Sequence, residues 1–163
     1  MPLKGGQDLR ESISTLRANG PAALGASLYE EGIEIIGESD KNVPYEWGNL
    51  RRSHYVELPK MGPSGPSVEE GYGAGYGLFV HEIPANHPKG GKDHFLRDAV
   101  DKRSVGMSER LARRMESHLA HGTGIVPLGI PSTKPDPMVA IRAGEAARKR
   151  ASAKRRKKKG GRR

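Results

Sequence analysis

Between Val43 and Glu57 the sequence, V-P-Y-E-W-G-N-L-R-R-S-H-Y-V-E, passes from a helical period to a strand period. Pro44 closes what precedes it, because a residue before proline is pushed out of the helical region. Gly48-Asn49 is a turn dipeptide, two residues that tolerate positive φ at little cost. From Arg51 to Leu58 the side chains alternate, with Arg52, His54, Val56 and Leu58 on one side and Arg51, Ser53, Tyr55 and Glu57 on the other. That alternation predicts a strand, and the whole stretch a helix-to-strand junction.

Upstream of the junction, Leu9, Ile13 and Leu16 recur at helical spacing and predict a short amphipathic helix over 7–18. Asn19-Gly20-Pro21 is expected to end it, with Pro21 opening a second helix over 22–38. The apolar face of that helix runs through Leu24, Leu28, Ile35 and Ile36 and, between them, through Glu31; Glu30, Glu34 and Glu38 fall largely outside it. Gly25, Gly32 and Gly37 weaken this helix, so it must depend on packing against a sheet.

Downstream, P-K-M-G-P-S-G-P (59–66) reads as a hairpin connection longer than a tight turn. Residues 67–71 open a further strand, and G-Y-G-A-G-Y-G (71–77) places glycine at every other position. On a strand those glycines would share one bare face, open to the close approach of a helix or a neighbouring subunit. Residues 76–82 read as a second strand. Asp93 is placed to cap a helix in which Leu96, Val100, Met107, Leu111, Met115 and His118 keep one face, with Phe95 and Ala99 beside it, an interruption at 104–106 and an end at Gly122-Thr123-Gly124. Residues 125–138 are proline-punctuated and extended, an arm that docks on another surface, a neighbouring subunit being one choice.

The expected fold is therefore α+β: a small antiparallel sheet of three or four strands packed against N-terminal and C-terminal helices, followed by an extended arm and a basic C-terminal tail. The organisation is an N-terminal segment or short helix (1–20), an α+β domain (21–121), the Pro-rich arm (122–141) and a polybasic tail (142–163). With 34% hydrophobic residues, one Trp and two Phe, the core must be small. A chain this lean is expected to need partners to bury enough apolar surface.

No constellation of catalytic residues stands out. His81-Glu82, His87 and His94 have the spacing H-E-x4-H-x6-H, not the helical H-E-x-x-H pair, and Pro84 and Pro88 forbid a helix there. They read as polar loop histidines. The glycine run fails the dinucleotide fingerprint, because Tyr76 and Leu78 stand where its last glycine belongs, and Gly90-Gly91-Lys92 lacks both the flanking glycine and the hydroxyl of a phosphate loop. Glu57, Glu69, Glu70 and Glu82 supply carboxylates, but nothing in their spacing requires acid–base work. No G-x-S-x-G occurs. The absence of cysteine excludes disulfides, zinc–thiolate sites and thiol chemistry. No cofactor or metal is expected. With no apolar run of membrane length and no signal-peptide core, a cytoplasm-like compartment and no membrane partner are expected.

Charge is segregated. Residues 142–163 hold twelve of the 28 Lys and Arg and one of the 19 carboxylates, a net +11, which leaves the preceding residues at −2. The cations Arg148, Lys149, Arg150, Lys154, Arg155, Arg156, Lys157, Lys158, Lys159, Arg162 and Arg163 suffice to bind a phosphate backbone without sequence preference and with strong salt dependence. No aromatic is interleaved, so base stacking is not expected. An acidic protein surface or plain solvation are the other uses of such a tail.

The order G-N-L-R-R-S (48–53), Y-x-x-x-V-H-E (76–82) and H-P-x-G-x-x-x-F-L-x-x-A-V (87–100, with one residue more between Gly and Phe) resembles the neck or tail-completion family of long-tailed bacteriophages, the head–tail joining and minor tail group related to the lambda Z protein. The resemblance covers roughly residues 20–120. It departs at Trp47, where the family commonly has Thr, and after Glu82, where no Gly-Thr follows. The resemblance implies a non-enzymatic virion protein, made in the host cytoplasm, that completes the tail and joins it to the head as a homo-oligomeric ring around the DNA channel, in contact with neighbouring connector and tail proteins. It marks Gly48, Asn49, Leu50, Arg51, Arg52, Tyr76, Glu82, Phe95 and Leu96 as signature positions for fold and assembly. Arg51 and Arg52 then either pair with carboxylates of a ring neighbour or simply solvate a strand edge. The basic tail lies outside the match, and packaged double-stranded DNA is its candidate partner. The reading from a different class is a basic nucleic-acid-binding accessory protein acting through that tail; a metal-dependent enzyme built on His81 and His87 is the remote third.

Overall fold

The structure, a computed structural model, describes residues 5–45, 48–84, 86–122 and 130–136 together with Lys149 and Ser152. It is an α+β fold organised on one helix, α1 (Gly5–Ser39), which runs unbroken for 35 residues through Pro21. The expected break at Asn19-Gly20-Pro21 is absent as a break in the backbone. A proline forfeits one intrahelical bond, but its φ is already helical, and the helix beyond it is held on two sides. The break survives as a boundary in packing: every residue from Gly5 to Asn19 is exposed, and burial begins at Gly20.

One side of the packed half meets a β ribbon. Strand β1 (His54–Val56) pairs antiparallel with β4 (Glu70–Tyr72) in the register His54↔Tyr72, Tyr55↔Gly71, Val56↔Glu70. Beyond it β2 (Lys60–Gly62) pairs with β3 (Gly65–Ser67). The anticipated long connection is thus itself a hairpin, and the single sheet expected is two two-stranded sheets in series. The dependence of α1 on the sheet is met at its glycines. A Cβ on Gly25 would lie 3.0 Å from Pro59 Cβ, and one on Gly32 would lie 2.6 Å from Glu70 Oε2 and 3.1 Å from Val56 Cγ1. At both positions a side chain would press on the ribbon, on Pro59 at Gly25 and on Val56 at Gly32.

The other side carries α4 (Phe95–Ser104) and α5 (Met107–His121), separated at Val105-Gly106 as the sequence suggested and ended at Gly122. The buried positions of α4 are Phe95 and Ala99, while Val100, placed on the apolar face by periodicity, is exposed. Asp93 does not cap α4. His94 does, in the left-handed region at φ 52, with its N–H given to the His81 carbonyl at 2.8 Å.

Two predicted strands are corrected. Residues 49–52 form a helical turn, α2 (Asn49–Arg52), opened by buried Gly48 at φ 72; the strand begins only at His54, and Leu58 at its far end is exposed. Residues 77–82 form α3 (Gly77–Glu82). The two corrections share a cause. Because the chain before Ser53 is helical, β4 has no ladder beyond Tyr72, only bonds to Ser53, from Gly73 N to its carbonyl at 2.8 Å and from Ala74 N to its Oγ at 3.1 Å. A backbone without a ladder must satisfy itself, and residues 76–83 do so through Val80 N to Tyr76 O at 3.2 Å and Ile83 N to Phe79 O at 3.0 Å.

The core joins two clusters: Val43, Leu50, Ala74 and Phe95 beyond the end of α1, and Tyr29, Ile36 and Val56 between α1 and β1, with Tyr72 and Leu96 packed against both. Tyr72 and Phe95 meet edge to face with centroids 5.2 Å apart. Residues 130–136 of the expected docking arm lie on the chain's own body. Ile130 packs on the Tyr29 cluster, Val56 N donates to Pro131 O at 3.0 Å, and Pro135 covers Gly73, where a Cβ would come within 2.7 Å of Pro135 Cδ. Among the described residues no helix is long and apolar enough to cross a membrane.

Candidate assembly site

Residues 5–19 of α1 form an exposed overhang about 22 Å long, touched by α5 only near its end, where Leu119 lines a shallow groove with Asp8, Glu11, Ser12, Thr15 and Leu16. Leu9, Ile13 and Leu16, spaced by four and three, form one stripe on it and remain 51% to 61% exposed. Arg10 and Arg17, seven apart, run along one border, and Asp8, Ser12 and Asn19 lie along the other. A helix of this length that buries so little is marginal in water.

A second apolar surface is carried by α3. Leu78, Phe79 and Ile83 are 54% to 69% exposed, and because 78 and 82, like 79 and 83, are four apart, they form one face with Glu82. Glu82 accepts from Arg97 Nη2 at 3.1 Å and lies 2.8 Å from His81 Nδ1. The His81 contact, aided by the Arg97 charge, holds its carboxyl below the usual range although partial desolvation opposes this, so it is ionised at neutral pH. Exposed Tyr76 caps the same helix.

The signature positions separate into two kinds. Leu50, Phe95 and Leu96 come together in the core, with Gly77 so close that a Cβ there would lie 3.2 Å from Leu50 Cδ1. Gly48 sets the positive φ that starts α2, and a Cβ there would also meet the Tyr45 ring at 2.9 Å. These residues make the fold. Asn49, Arg51, Arg52, Tyr76 and Glu82 lie outside that core. Arg52 Nη2 donates to Asn49 Oδ1 at 3.1 Å, and Arg51 lies 3.8 Å from Asp40. Arg51 and Arg52 are helical and exposed, not on opposite faces of a strand.

Two polar clusters escaped the sequence reading. Glu31, 1% exposed, accepts from Arg110 Nη2 at 2.7 Å, Arg103 Nε at 2.9 Å and Arg114 Nη1 at 2.6 Å. Glu34 takes Arg114 Nη2 at 2.7 Å and also pairs with Arg103, while Glu30 lies 3.1 Å from His118 Nε2. Burial alone would raise the Glu31 carboxyl; hydrogen bonds from Arg110 and Arg103 and the charge of Arg114 outweigh it and hold it below the ordinary range. This cluster fastens α1 to α4 and α5. Part of its signal was present in the sequence as Arg110 and Arg114, four apart on one face of α5; Arg103 joins them from the end of α4.

The second cluster links Tyr72, whose hydroxyl lies 2.9 Å from both Ser39 Oγ and Asp40 Oδ1, to His54, whose Nδ1 is 2.8 Å from Asp40 Oδ2. It ties the end of α1 to β1 and β4. No periodicity pairs residues 14 to 33 positions apart, so nothing local announced it.

Among the remaining candidates, His81 and His94 face each other with ring centroids 5.7 Å apart. No group of three or more His, Asp or Glu among the described residues is arranged to hold a metal ion. Glu69 and Glu70 diverge: Glu69 accepts from Tyr55 Oη at 2.8 Å, whereas burial, reinforced by the Glu31 charge, pushes Glu70 up to about 7. Glu57 pairs with Lys60. Of the proposed DNA-contacting cations, Lys149 is described and is exposed; Arg148, Arg150, Lys154, Arg155, Arg156, Lys157, Lys158, Lys159, Arg162 and Arg163 lie outside the described residues.

Compared with protein-family models, with curated proteins and with solved structures, the chain matches none of them.

Proposed function

We propose that the chain is a structural subunit of a bacteriophage neck, a non-enzymatic protein that completes the tail and joins it to the head within a ring around the DNA channel. The observation that carries this reading is the α1 overhang: about 22 Å of helix whose apolar stripe stays exposed among the described residues. The resemblance of residues 20–120 to the tail-completion family supplies the kind of assembly. Its signature residues include both core formers, such as Leu50 and Phe95, and members of the exposed α3 surface, such as Tyr76 and Glu82.

The test is the mass of the full-length protein by light scattering, on a nucleic-acid-free sample in moderate salt, alone and with connector and tail proteins. A ring-sized species in either condition supports the neck reading. A monomer in both conditions that binds DNA overturns it.

That second outcome is the signature of the other reading, a basic nucleic-acid-binding accessory protein. Its supporting observation is the concentration of +11 in residues 142–163 behind a nearly neutral body. Binding of that kind would weaken steeply with salt and vanish when 142–163 is deleted.

A further inference from the structure

We infer that the α1 overhang of one subunit docks on the α3 face of the next copy, as a head-to-tail contact with Arg10 and Arg17 directed at the Glu82 edge. The inference rests on the ring reading and names the surfaces that would make the ring.

The two apolar faces lie at opposite ends of the molecule. The overhang precedes Gly20, whereas α3 packs through Val80 on the Val43–Leu50–Phe95 cluster just beyond the last turn of α1. The packed half of α1, residues 20–39, separates them by about 30 Å. No chain of this shape can cover its own overhang with its own α3. A second copy can, and a contact between unlike surfaces at opposite ends propagates to a closed ring or a filament.

The charges along the stripe argue against the simpler arrangement, overhang against overhang. With Leu9 and Leu16 at one core position of a heptad and Ile13 at the other, Arg10 and Arg17 both fall at the same flanking position. An antiparallel pair would set these guanidinium groups against each other. A parallel pair would set Arg10 against Gly5 and Arg17 against Ser12, which carry no charge. The α3 face offers a better match, because Leu78, Phe79 and Ile83 supply the apolar surface and Glu82, still part exposed beside its partner Arg97, stands at its edge. A helix face about 22 Å long covers less than a standard interface of roughly 800 Å² per partner. Each contact is therefore weak alone, and closure, which gives every subunit two, is what makes the assembly persist.

The chain has no cysteine, so two introduced ones report the contact cleanly. Ile13→Cys and Phe79→Cys variants, one of them isotopically labelled, are mixed under the conditions in which light scattering shows assembly and are oxidised gently. Covalent pairs of mixed mass, in excess over pairs of either variant with itself, are expected. In parallel, Ile13→Asp and Phe79→Asp are each expected to weaken assembly by about tenfold or more while leaving the melting temperature of the dilute protein unchanged, which separates lost docking from lost folding.

Dominant pairs of Ile13→Cys with itself would overturn the inference in favour of overhang pairing. Ring-sized particles that yield no mixed pairs, or that survive both aspartates, would overturn it while leaving the neck reading intact. A chain that stays monomeric alone and with connector and tail proteins would overturn both.

Discussion

The two halves of α1 belong to one continuous helix and have opposite surroundings. From Gly20 to Ser39 the helix is enclosed between a β ribbon and a helical pair, and it buries Ala23, Ala26, Tyr29, Ile35 and Ile36, with Glu31 locked among three arginines. From Gly5 to Asn19 it buries nothing. Yet the exposed half carries the plainer amphipathic pattern, Leu9-Ile13-Leu16, and the buried half the more irregular one, interrupted by Gly25, Gly32 and Gly37 and by a run of glutamates. A clean apolar stripe therefore marks where a partner is wanted without saying whether the partner is in the same chain. Irregularity, in contrast, reports specific neighbours: glycines where a strand comes close and a carboxylate where guanidinium groups converge.

Breaking the buried half should have the largest effect. Glu31→Ala leaves Arg103, Arg110 and Arg114 without their shared counter-charge, and removing one side of a buried ion cluster costs about 3–5 kcal/mol. Thermal melting should show a fall of at least about 6 °C, whereas Ile13→Ala in the overhang should leave the melt of the dilute protein within about 1 °C. An equal fall in both would show that the overhang is part of the folding unit.

Next comes pH. Glu70 is neutral-favouring in the folded protein, with its pKa raised from 4.5 to about 7 by burial and by Glu31. A raised carboxyl binds its proton more tightly when folded, so the stability it contributes is fully present below pH 4.5 and is lost as pH rises through about 7. Halved for partial exposure, the loss is about 2 kcal/mol. Glu70→Gln should flatten the difference between melts at pH 4.5 and pH 8 and should be the more stable protein at pH 8. Parallel pH profiles for the variant and the parent would remove Glu70 as the cause.

Glycine substitutions sharpen the comparison with opposite signs. At Gly32 an added methyl meets Val56 Cγ1 at 3.1 Å as well as the Glu70 carboxylate, and the ribbon must shift, at about 1–3 kcal/mol. At Gly6 nothing lies within 4 Å, so alanine gains helix propensity, up to about 0.5–1 kcal/mol, read as added helicity in circular dichroism. The smallest effect is at Tyr29, whose buried hydroxyl has no hydrogen-bond partner among the described residues. Tyr29→Phe should be neutral or slightly stabilising in a chemical denaturation curve, within about 1 kcal/mol, because it removes an unmet desolvation cost.

Several features were legible beforehand for local reasons. Gly48 at a positive φ, the interruption at Val105-Gly106 and the stop at Gly122 follow from what single residues permit. The dependence of α1 on a sheet followed from Gly25 and Gly32. Leu50, Phe95 and Leu96, which the resemblance marks, lie together in one core cluster. Other features were misread because the deciding partner was distant. Residues 76–82 alternate like a strand, but a strand needs a neighbour, and the helical turn at 49–52 removed it. Pro135 and Ile130 read as an arm for another surface, and the surface proved to be Gly73 and the Tyr29 cluster of the same chain.

By itself, then, the sequence determined where this chain bends, which stretches have helical or strand period, where its positive charge is concentrated, and that its core would be small. These are properties of residues and their near neighbours, set by steric limits on φ, by periodicity and by composition. Only the tertiary structure decided that α1 continues through Pro21, that Glu31 is a buried anchor, that α3 is a helix, and that, among the described residues, one apolar stripe is covered while another stays exposed. Those outcomes depend on contacts between residues tens of positions apart, whose geometry exists only after the ribbon and the helical pair have closed on α1.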